Sequence, residues 1–343
     1  MKIGIIGAGW WAAQAYIPLL QANDRVTEIA VCRPDREGLD KVRATFGLEH
    51  AFTDATTMLE TRDPDGVIVS SPHVLHAEHA MMCLERGLPV MVEKPMTTTT
   101  ADARRLAAAA TAGGTPLVVA YGWNFGPLAI RARKLVDDGW IGEVEHATCL
   151  TATGLTDLFA GKPLPSTVDH VFRPPVSTWA DPKRAGGYGW GQLTHALGVL
   201  FLLVEEEPAG AYARMQLSEV GVDLSDAGVV ALANGASVAV SGTARIPRRR
   251  KQVDIRIHGS KGALFLDLER ERLEVHGHDG TSHVESVAQG DGDYEVGRLV
   301  DSFVGLAGGD DIANHADAGV GLRATAALDA MYRSAKSGVF ENV

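Results

Sequence analysis

The sequence predicts an α/β domain built on a parallel sheet, followed by an α+β domain with a large, open-faced and mainly antiparallel sheet. Two observations predict this order. Over the first third of the chain short apolar segments alternate with helical ones, and beyond about residue 143 strand-like segments follow one another. Strands that are apolar on both faces and alternate with helices are typical of a parallel sheet covered on both sides.

The elements of the first part follow from the hydrophobic pattern. Short apolar runs predict strands at residues 2–7, 26–32, 65–71, 88–93 and 116–122. The stretches between them predict a helix that ends near Gln21 and two more at residues 76–87 and 101–112. The third helix follows four threonines, a residue type that caps helix N-termini.

Turn dipeptides organise the second part. They mark hairpins at Asn234-Gly235 and Asp279-Gly280, so residues 209–286 predict several antiparallel strands. Helical character then returns at residues 294–306 and 316–335. We expect two domains, one over residues 1–123 and one over residues 124–343.

Composition excludes several classes of protein. The 343 residues carry 43 acidic and 32 basic side chains, a net charge of −11, which argues against nucleic acid as a partner. The basic cluster Arg248–Lys251 predicts a solvated loop or an edge strand protected by charge. No apolar run approaches the ~20 residues that cross a bilayer, so we expect no membrane association.

The three cysteines, Cys32, Cys83 and Cys149, are too few and too scattered for a disulfide framework or a metal site. Their apolar neighbours predict buried thiols in a reducing compartment. Because the first strand begins at residue 2, we expect no signal peptide and a cytoplasmic location.

A glycine-rich turn, GAGWWA at residues 7–12, follows the first strand and opens a helix. In this G-x-G-x-x-A pattern, Gly7 permits a tight turn, Gly9 allows the backbone to approach a pyrophosphate, and Ala12 allows close packing of helix and strand. Free N–H groups of the first helical turn face the phosphates. The pattern predicts a Rossmann-type dinucleotide site; a tight turn without a ligand is the alternative.

Arg33 follows the second strand, where NAD-binding domains of this type carry an acidic residue for the ribose hydroxyls. A guanidinium can bind a 2′-phosphate with two hydrogen bonds. We therefore favour NADP over NAD as the cofactor, although Asp35 keeps NAD open. A solvated arginine in a turn is the third interpretation.

Lys94 directly follows the fourth predicted strand, in the sequence VMVEKPM, and ligands of open α/β sheets lie at the carboxyl ends of strands. Four segments strengthen this interpretation, and together with GAGWWA they mark a resemblance that extends over nearly the whole chain. They are SSPHVLHAEHAMMCLERGLPVMVEKP, GWNFGPLAIRARKLVDDGWIGEV, WADPKRAGGYGWGQLTH and GSKGAL. In this order they resemble the Gfo/Idh/MocA family of NAD(P)-dependent oxidoreductases.

The resemblance implies a set of cofactor-binding residues. Glu93 and Lys94 would approach the nicotinamide ribose, and Asn124 would close the pocket. The remaining residues that the resemblance places around the pyrophosphate, nicotinamide and ribose are Gly7, Gly9, Trp11, Ser71, Pro72 and His76, with Trp10 beside them. Trp10 and Trp11 have simple packing as an alternative role, and His73 stands where the family often has asparagine.

The resemblance also implies the catalytic pair. In the family a histidine carries the proton, a lysine polarises the reacting oxygen and an aspartate four residues before the histidine assists; here these positions are His195, Lys94 and Gly191. Imidazole titrates near neutrality and suits proton transfer, and the ammonium of Lys94 would favour alkoxide charge. A histidine bonded to backbone at a helix start is the alternative for His195.

The glycine-rich run around Gly191 predicts a pliable loop with room for a bulky polar substrate. We expect Tyr188 and Trp190 to offer flat faces to a sugar ring and Gln192 to orient substrate hydroxyls. Lys94 and His195 complete this predicted substrate-binding set. No metal site is expected, since the scattered histidines form no ligand spacing.

The main hypothesis is an NAD(P)-dependent oxidoreductase that acts on a hydroxyl or keto carbon of a sugar, sugar derivative or cyclitol. One alternative is a glycoside-cleaving enzyme that oxidises its substrate transiently, eliminates a substituent and reduces it again. A second is an inactive NADP-binding sensor or scaffold, since Gly191 lacks the carboxylate. We therefore expect residues 1–123 to be a dinucleotide-binding domain and residues 124–343 to be a substrate-binding and oligomerisation domain. The resemblance further implies a homodimer or homotetramer formed through the open sheet.

Overall fold

A computed structural model describes residues 1–248 and 250–343, so Arg249 of the predicted basic cluster lies outside the described residues. Within the described residues the strands form two sheets, one of six strands and one of nine. The sheets belong to two domains that meet along a deep cleft. This arrangement confirms the predicted fold class.

The first sheet is wholly parallel, with the strand order β3-β2-β1-β4-β5-β6. Its strands are β1 Lys2–Ile6, β2 Glu28–Cys32, β3 His50–Phe52, β4 Gly66–Val69, β5 Val90–Val92 and β6 Leu117–Val119. The accompanying helices are α1 Ile17–Gln21, α2 Arg36–Phe46, α3 Ala55–Arg62, α4 His76–Leu84, α5 Thr100–Gly113 and α6 Pro127–Asp137. The strand order reverses between β1 and β4, the place where doubly wound sheets bind ligands.

The second sheet has the order β14-β13-β12-β11-β7-β10-β9-β8-β15, and β7 and β10 are its parallel pair. Its strands are β7 Val144–Thr153, β8 Pro208–Leu217, β9 Asp223–Leu232, β10 Ser237–Thr243, β11 Lys251–Gly259, β12 Gly262–Asp267, β13 Arg272–Gly277, β14 Ser282–Val284 and β15 Glu341–Asn342. The helices of this part are α7 Thr156–Phe159, α8 Val176–Trp179, α9 Thr194–Leu203, α10 Val296–Ala307 and α11 Ala318–Ser337.

Both predicted hairpins are confirmed. Asn234-Gly235 joins the antiparallel strands β9 and β10, and Asp279-Gly280 joins β13 and β14. Gly235 and Gly280 have φ values of 90° and 88°, a backbone conformation that glycine adopts without a steric penalty.

The last two helices connect the domains. Helix α10 packs against α1 and β5 of the first domain, and α11 packs against both α5 and β8. The hydroxyl of Thr100 at the start of α5 donates to Asp329 of α11 at 2.7 Å. The cleft is therefore held between two domains that share a packed interface. Within the described residues, no helix is long and apolar enough to span a membrane.

Candidate active site

A cleft of about 930 Å³ lies between the domains, within the size range of small-molecule and cofactor sites. Its first-domain wall is formed at the carboxyl ends of β1, β2, β4 and β5. Its second-domain wall comes from the segment before α9, the start of α9 and the beginning of β11. Among the described residues, no group of three or more His, Cys, Asp or Glu side chains could hold a metal ion.

The glycine turn forms one end of the cleft. The N–H groups of Gly7 and Ala8 donate to the carbonyl of Cys32 at 2.9 and 3.0 Å, which ties the turn to β2. Gly7 has a φ of 97°, and a Cβ there would stand 2.4 Å from the backbone nitrogen of Ser71. At Gly9 the nearest atom to a Cβ would be 3.8 Å away, so this glycine leaves open space beside the backbone. The cradle fits a dinucleotide pyrophosphate.

The loop after β4 borders the same cradle. Ser71, Pro72 and His76 line the cleft as the resemblance implies. His76 is fully buried, and its ring nitrogens lie 2.7 and 2.8 Å from the carbonyl oxygens of Pro95 and Ser71. Burial lowers the pKa of His76 to about 4, so the ring is neutral and donates to one of these carbonyls. It therefore fastens the Ser71 loop to the Lys94–Pro95 peptide, which is cis.

Arg33 and Asp35 stand at the adenine-ribose end expected for such a cradle. The guanidinium of Arg33 donates to a carboxylate oxygen of Asp35 from Nε at 3.3 Å and from Nη2 at 3.1 Å, and to the carbonyl of Ala8 at 3.2 Å. It also lies 4.4 Å from the ring centre of Phe172. Both side chains face the cleft, so this end offers a positive group and a negative group to a ribose.

A segment of the second domain lies across this end. The indole N–H of Trp10 donates to Nδ1 of His170 at 2.9 Å, and Lys41 donates to the carbonyl of Val171 at 2.7 Å. Trp10 and Trp11 both line the cleft, with their rings 5.6 Å apart in an edge-to-face arrangement. Trp10 thus has a packing role in addition to its place on the wall of the cleft.

Glu93 and Lys94 are buried at the end of β5. The hydroxyl of Tyr16 donates to Glu93, and the other carboxylate oxygen accepts from the backbone N–H of Lys94 at 3.1 Å. Burial lowers the pKa of Lys94, and the neighbouring carboxylate of Glu93 opposes that shift. Burial raises the pKa of Glu93, with Lys94 acting in the opposite direction. Each of the two adjacent groups therefore favours the charged form of the other in the cleft.

The glycine-rich run is a helical turn rather than the predicted loop. Gly189–Leu193 forms a π-helical turn that continues into α9. A Cβ at Gly189 would meet the hydroxyl of Tyr332 at 2.6 Å, and a Cβ at Gly191 would meet the ring of Phe159 at 2.9 Å. Glycine is required here because neighbouring aromatic rings occupy the side-chain positions. The helix forms despite the low helical propensity of glycine because these tertiary contacts outweigh it.

Gly191 contributes its backbone to the site. The Nζ of Lys94 donates to the carbonyl of Gly191 at 2.9 Å and lies 5.0 Å from the ring centre of Trp179. A side chain at residue 191 would enter the space of Phe159 and Trp179. A carbonyl oxygen thus contacts the lysine in this chain, at the position where the family usually has an aspartate.

His195 begins α9 and faces the same cleft as Lys94. Its ring packs edge to face against Trp123 and Tyr294, with centroids at 5.5 and 5.3 Å. Burial lowers the pKa of His195 well below its usual value, and the charge of Lys94 lowers it further. Nδ1 is buried without a hydrogen-bond partner among the described residues, so Nε2 is the nitrogen that reaches the cleft.

Three predicted residues, Asn124, Tyr188 and Trp190, lie away from the cleft. The amide of Asn124 is fully buried and donates to the carbonyls of Gly198 and His315 at 3.0 and 2.9 Å, so it ties the interdomain link to α9 instead of closing the pocket. Tyr188 is fully buried against Phe159.

The ring of Trp190 is stacked on Tyr332 with centroids 4.9 Å apart. The helical turn directs Tyr188 and Trp190 away from the cleft, which corrects the expectation that they face a sugar ring. Gln192, from the same turn, lines the cleft.

The structure adds cleft residues that were given no role. Trp179 stands between Lys94 and His73, with the His73 ring centre 5.3 Å away. Trp123 and Tyr294 enclose His195, and Arg184 lines the second-domain side. Trp179 and Arg184 lie within the segment WADPKRAGGYGWGQLTH, so the resemblance marked their neighbourhood; Tyr294 had no sequence signal because it arrives from 99 residues beyond His195.

The fold and this site define a two-domain protein with a dinucleotide-binding domain. A family model described as "Oxidoreductase family, NAD-binding Rossmann fold" matches residues 1–121, and one described as "GFO/IDH/MocA C-terminal domain" matches residues 129–265. The chain belongs to the Gfo/Idh/MocA family, as the sequence motifs predicted.

Individual proteins are similar to the chain over different lengths. A 1-carboxy-3-chloro-3,4-dihydroxycyclohexa-1,5-diene dehydrogenase of Comamonas testosteroni is 29% identical over 205 residues, which are 60% of this chain and 48% of that protein. The match thus spans about half of that relative's length. D-apiose dehydrogenase of Paraburkholderia graminis is 23% identical over 82% of this chain and 71% of its own.

A solved structure of levoglucosan dehydrogenase, in complex with NADH and levoglucosan, shares the fold. Its TM-score is 0.76 at 20% identity, and the match covers 100% of this chain and 99% of that one.

Proposed function

We propose that this chain is an NAD(P)-dependent oxidoreductase that transfers hydride between the nicotinamide and a hydroxyl or keto carbon of a sugar, sugar derivative or cyclitol. The observation that carries the proposal is the convergence of Lys94 and His195, from different domains, on one cleft beside a dinucleotide cradle. The names of the relatives support a sugar-type substrate, since two of the proteins described above are dehydrogenases of D-apiose and levoglucosan.

The coenzyme would supply or accept the hydride when bound. Residues 1–123 would hold it, with Gly7 and Gly9 at the pyrophosphate and Glu93 and Lys94 near the nicotinamide ribose. Residues 124–343 would supply the proton carrier and enclose the substrate. The rings of Trp123 and Tyr294 pack against the imidazole of His195 and would limit the access of water to it.

His195 would take the proton from the substrate hydroxyl during oxidation and return it during reduction. Its lowered pKa keeps the imidazole neutral near pH 7, which is the form that accepts a proton. Nε2 is the proposed reacting nitrogen, since Nδ1 is enclosed.

Lys94 would stabilise negative charge on the substrate oxygen. One of its three N–H groups is used by the carbonyl of Gly191, so two remain for the substrate. In a buried site the ammonium acts at lower effective dielectric than in water, which increases its effect on an alkoxide.

We favour NADP as the coenzyme, with NAD as the alternative. Arg33 is the cation at the ribose end of the cradle, and its stacking on Phe172 holds the guanidinium plane in place. Asp35 accepts from two guanidinium nitrogens and would compete with a 2′-phosphate. The balance between these two groups determines the preference.

We also propose that the chain is cytoplasmic and forms a homo-oligomer through its open sheet. Its three cysteines are free and buried, as in proteins of reducing compartments. On the sheet face away from α9, Tyr212 of β8 pairs directly with Val229 of β9, and both side chains are exposed. An exposed apolar pair on a broad sheet face favours a protein contact.

The test is steady-state turnover with a panel of sugars and inositols and each coenzyme, for the natural chain and for Lys94→Met and His195→Asn. We expect losses in kcat/KM of about 10²- to 10⁴-fold in each variant, the usual range for general acid–base groups. Coenzyme affinity in His195→Asn should change little. His276→Gln, at an exposed position of β13 in the second sheet, is the matched control.

Other outcomes separate the alternatives. Release of an aglycone without net coenzyme turnover would favour the glycoside-cleaving reaction. Coenzyme binding with no turnover of any substrate would favour the sensor, in which Gly191 replaces the assisting carboxylate. Full activity in both variants would remove the proposed catalytic pair.

A further inference from the structure

We propose that Arg184 binds a carboxylate group of the substrate, so that the preferred substrates are acidic sugars or cyclitols, such as uronic or aldonic acids, rather than neutral ones. This inference rests on the proposed function, since it names the substrate class of the same cleft. It depends on the distribution of charge in the cleft, on the missing partner of Arg184 and on the rigid turn that carries it.

Charge is divided unevenly between the two walls of the cleft. Among the described residues that line it, the charged side chains of the second domain are Arg184 and Lys251, and both are basic. The acidic side chains all come from the first domain: Asp35, Asp54, Glu78 and Glu93. The substrate side is therefore positive.

Three of the four acidic residues are either distant in topology or already bonded, and the fourth, Glu78, is an exposed residue of α4. Asp35 and Asp54 follow β2 and β3, on the opposite side of β1 from β5 and Lys94. Glu93, beside Lys94, accepts hydrogen bonds from Tyr16 and from the backbone of Lys94. None of these carboxylates is paired with the guanidinium of Arg184 in the described part of the chain.

Arg184 is a cation without a protein partner among the described residues. Its Nε is buried and makes no hydrogen bond, whereas Lys251 is paired with Asp293 at 3.1 Å. A buried guanidinium nitrogen without an acceptor is costly, and such groups in native structures usually await a water or a ligand. A carboxylate fits best, because its two oxygens match the fork of a guanidinium.

The turn that carries Arg184 is fixed on both sides. The carboxylate of Asp181 accepts from the backbone of Lys183 at 2.9 Å, and the carbonyl of Asp181 accepts from the backbone of Arg184 at 3.1 Å. The next carbonyl, of Ala185, accepts from Nδ1 of His73 at 2.8 Å, across the domain boundary. The backbone that carries Arg184 is therefore held in a fixed conformation.

The same turn leads directly to the proposed reaction site. Trp179 precedes it, and its carbonyl accepts from the backbone of Gly187 at 3.1 Å, which closes the segment into a compact loop. The ring of Trp179 lies 5.0 Å from the Nζ of Lys94. A substrate held at Lys94 and extending past Trp179 would place a carboxylate near Arg184. The pyrophosphate of the coenzyme is the other source of an anion, and the test separates the two.

The experiment compares matched acidic and neutral substrates in the natural chain, Arg184→Met and Arg184→Lys. The pairs are D-glucuronate with D-glucose, D-galacturonate with D-galactose, and D-gluconate with D-sorbitol. Substrate binding is measured by calorimetry on the coenzyme-saturated protein, turnover by steady-state kinetics, and coenzyme affinity by fluorescence titration. Lys183→Met removes an exposed cation from the same turn and is the matched control.

We expect the natural chain to prefer the acidic member of at least one pair. Arg184→Met should then weaken binding and kcat/KM of the acid by about 10- to 100-fold, the range for a hydrogen bond to a charged group. The neutral member should change by less than about threefold on the same reasoning, since it makes no such bond. Arg184→Lys should lie between, and Lys183→Met should match the natural chain.

Three results would overturn the inference. In the first, the natural chain binds no acid better than its neutral partner. In the second, Arg184→Met weakens acid and neutral substrates equally. In the third, the variant loses coenzyme affinity while the ratio of acid to neutral affinity is unchanged, which would assign Arg184 to the pyrophosphate. If no substrate turns over, the proposed function fails, and calorimetry alone then decides whether the carboxylate site exists.

Discussion

Acidification should destabilise the chain through two buried histidines of the cleft, His73 and His76. Burial lowers the pKa of His73 to about 3 and that of His76 to about 4. The folded protein therefore keeps both rings neutral at pH 5, whereas the unfolded chain, with a histidine pKa of about 6.5, binds a proton at each. Because the unfolded state binds more protons, stability falls as the pH decreases below about 6.5.

The magnitude follows from these values. Protonation of each histidine stabilises the unfolded chain relative to the folded one. This lowers the free energy of unfolding by about 2 kcal/mol per ring at pH 5 and by about 0.2 kcal/mol at pH 7. The two histidines together should remove about 4 kcal/mol of stability between pH 7 and pH 5. That is a large part of the roughly 5–15 kcal/mol typical of a folded domain.

The assay is urea unfolding at pH 7, 6 and 5 for the natural chain, His73→Asn and His76→Gln. Each variant should lose about 2 kcal/mol less than the natural chain between pH 7 and pH 5. The comparison with variants is necessary because burial raises the pKa of Glu93 and Asp226, and these groups stabilise the fold as the pH falls. His276→Gln, on the exposed face, controls for the removal of any histidine.

Equal loss of stability in the natural chain and both variants would refute this reasoning. So would a native-state titration, followed by nuclear magnetic resonance, in which the rings of His73 and His76 gain protons near pH 6.5.

Two further predictions concern the coenzyme end and the π-helical turn. Arg33→Ser should raise the Kd for NADPH by about tenfold or more and leave the Kd for NADH nearly unchanged. Asp35→Asn should lower the Kd for NADPH. Equal shifts in Kd for both coenzymes, measured by fluorescence titration, would contradict the assignment. Gly191→Ala places a Cβ 2.9 Å from Phe159 and 3.0 Å from Trp179, so overpacking should cost about 1–3 kcal/mol in thermal or urea unfolding. An unchanged melting temperature would show that the aromatic rings move freely.

Sequence patterns predicted the order of elements and the positions of most strands. Strands β1, β2, β4, β5 and β6 all lie inside the predicted segments, because each is a continuous apolar run buried on both faces. Strand β3, His50–Phe52, was not predicted. It has three half-buried residues at the edge of the sheet, which is too little pattern to distinguish from a loop.

Side-chain direction limited the prediction of the site. The motifs singled out Lys94 and His195, which both line the cleft, since each stands at a marked end of a strand or helix. Tyr188 and Trp190 were misplaced because a glycine-rich run gives no sign that it is helical, and the direction of each ring depends on that turn. Arg184 could not be singled out, since the absence of a partner is a property of the folded cleft.

The segment His170–Phe172 has a consequence for turnover. It is hydrogen-bonded to Trp10 and Lys41 and stacked on Arg33, so it lies across the end of the cleft that holds Arg33 and Asp35. We therefore expect a dinucleotide that enters or leaves through this end to require the separation of these contacts, so that exchange of the coenzyme would be a conformational event distinct from hydride transfer. Substitutions that weaken the contacts of His170–Phe172, rather than changes to Lys94 or His195, would then alter how fast the coenzyme is replaced.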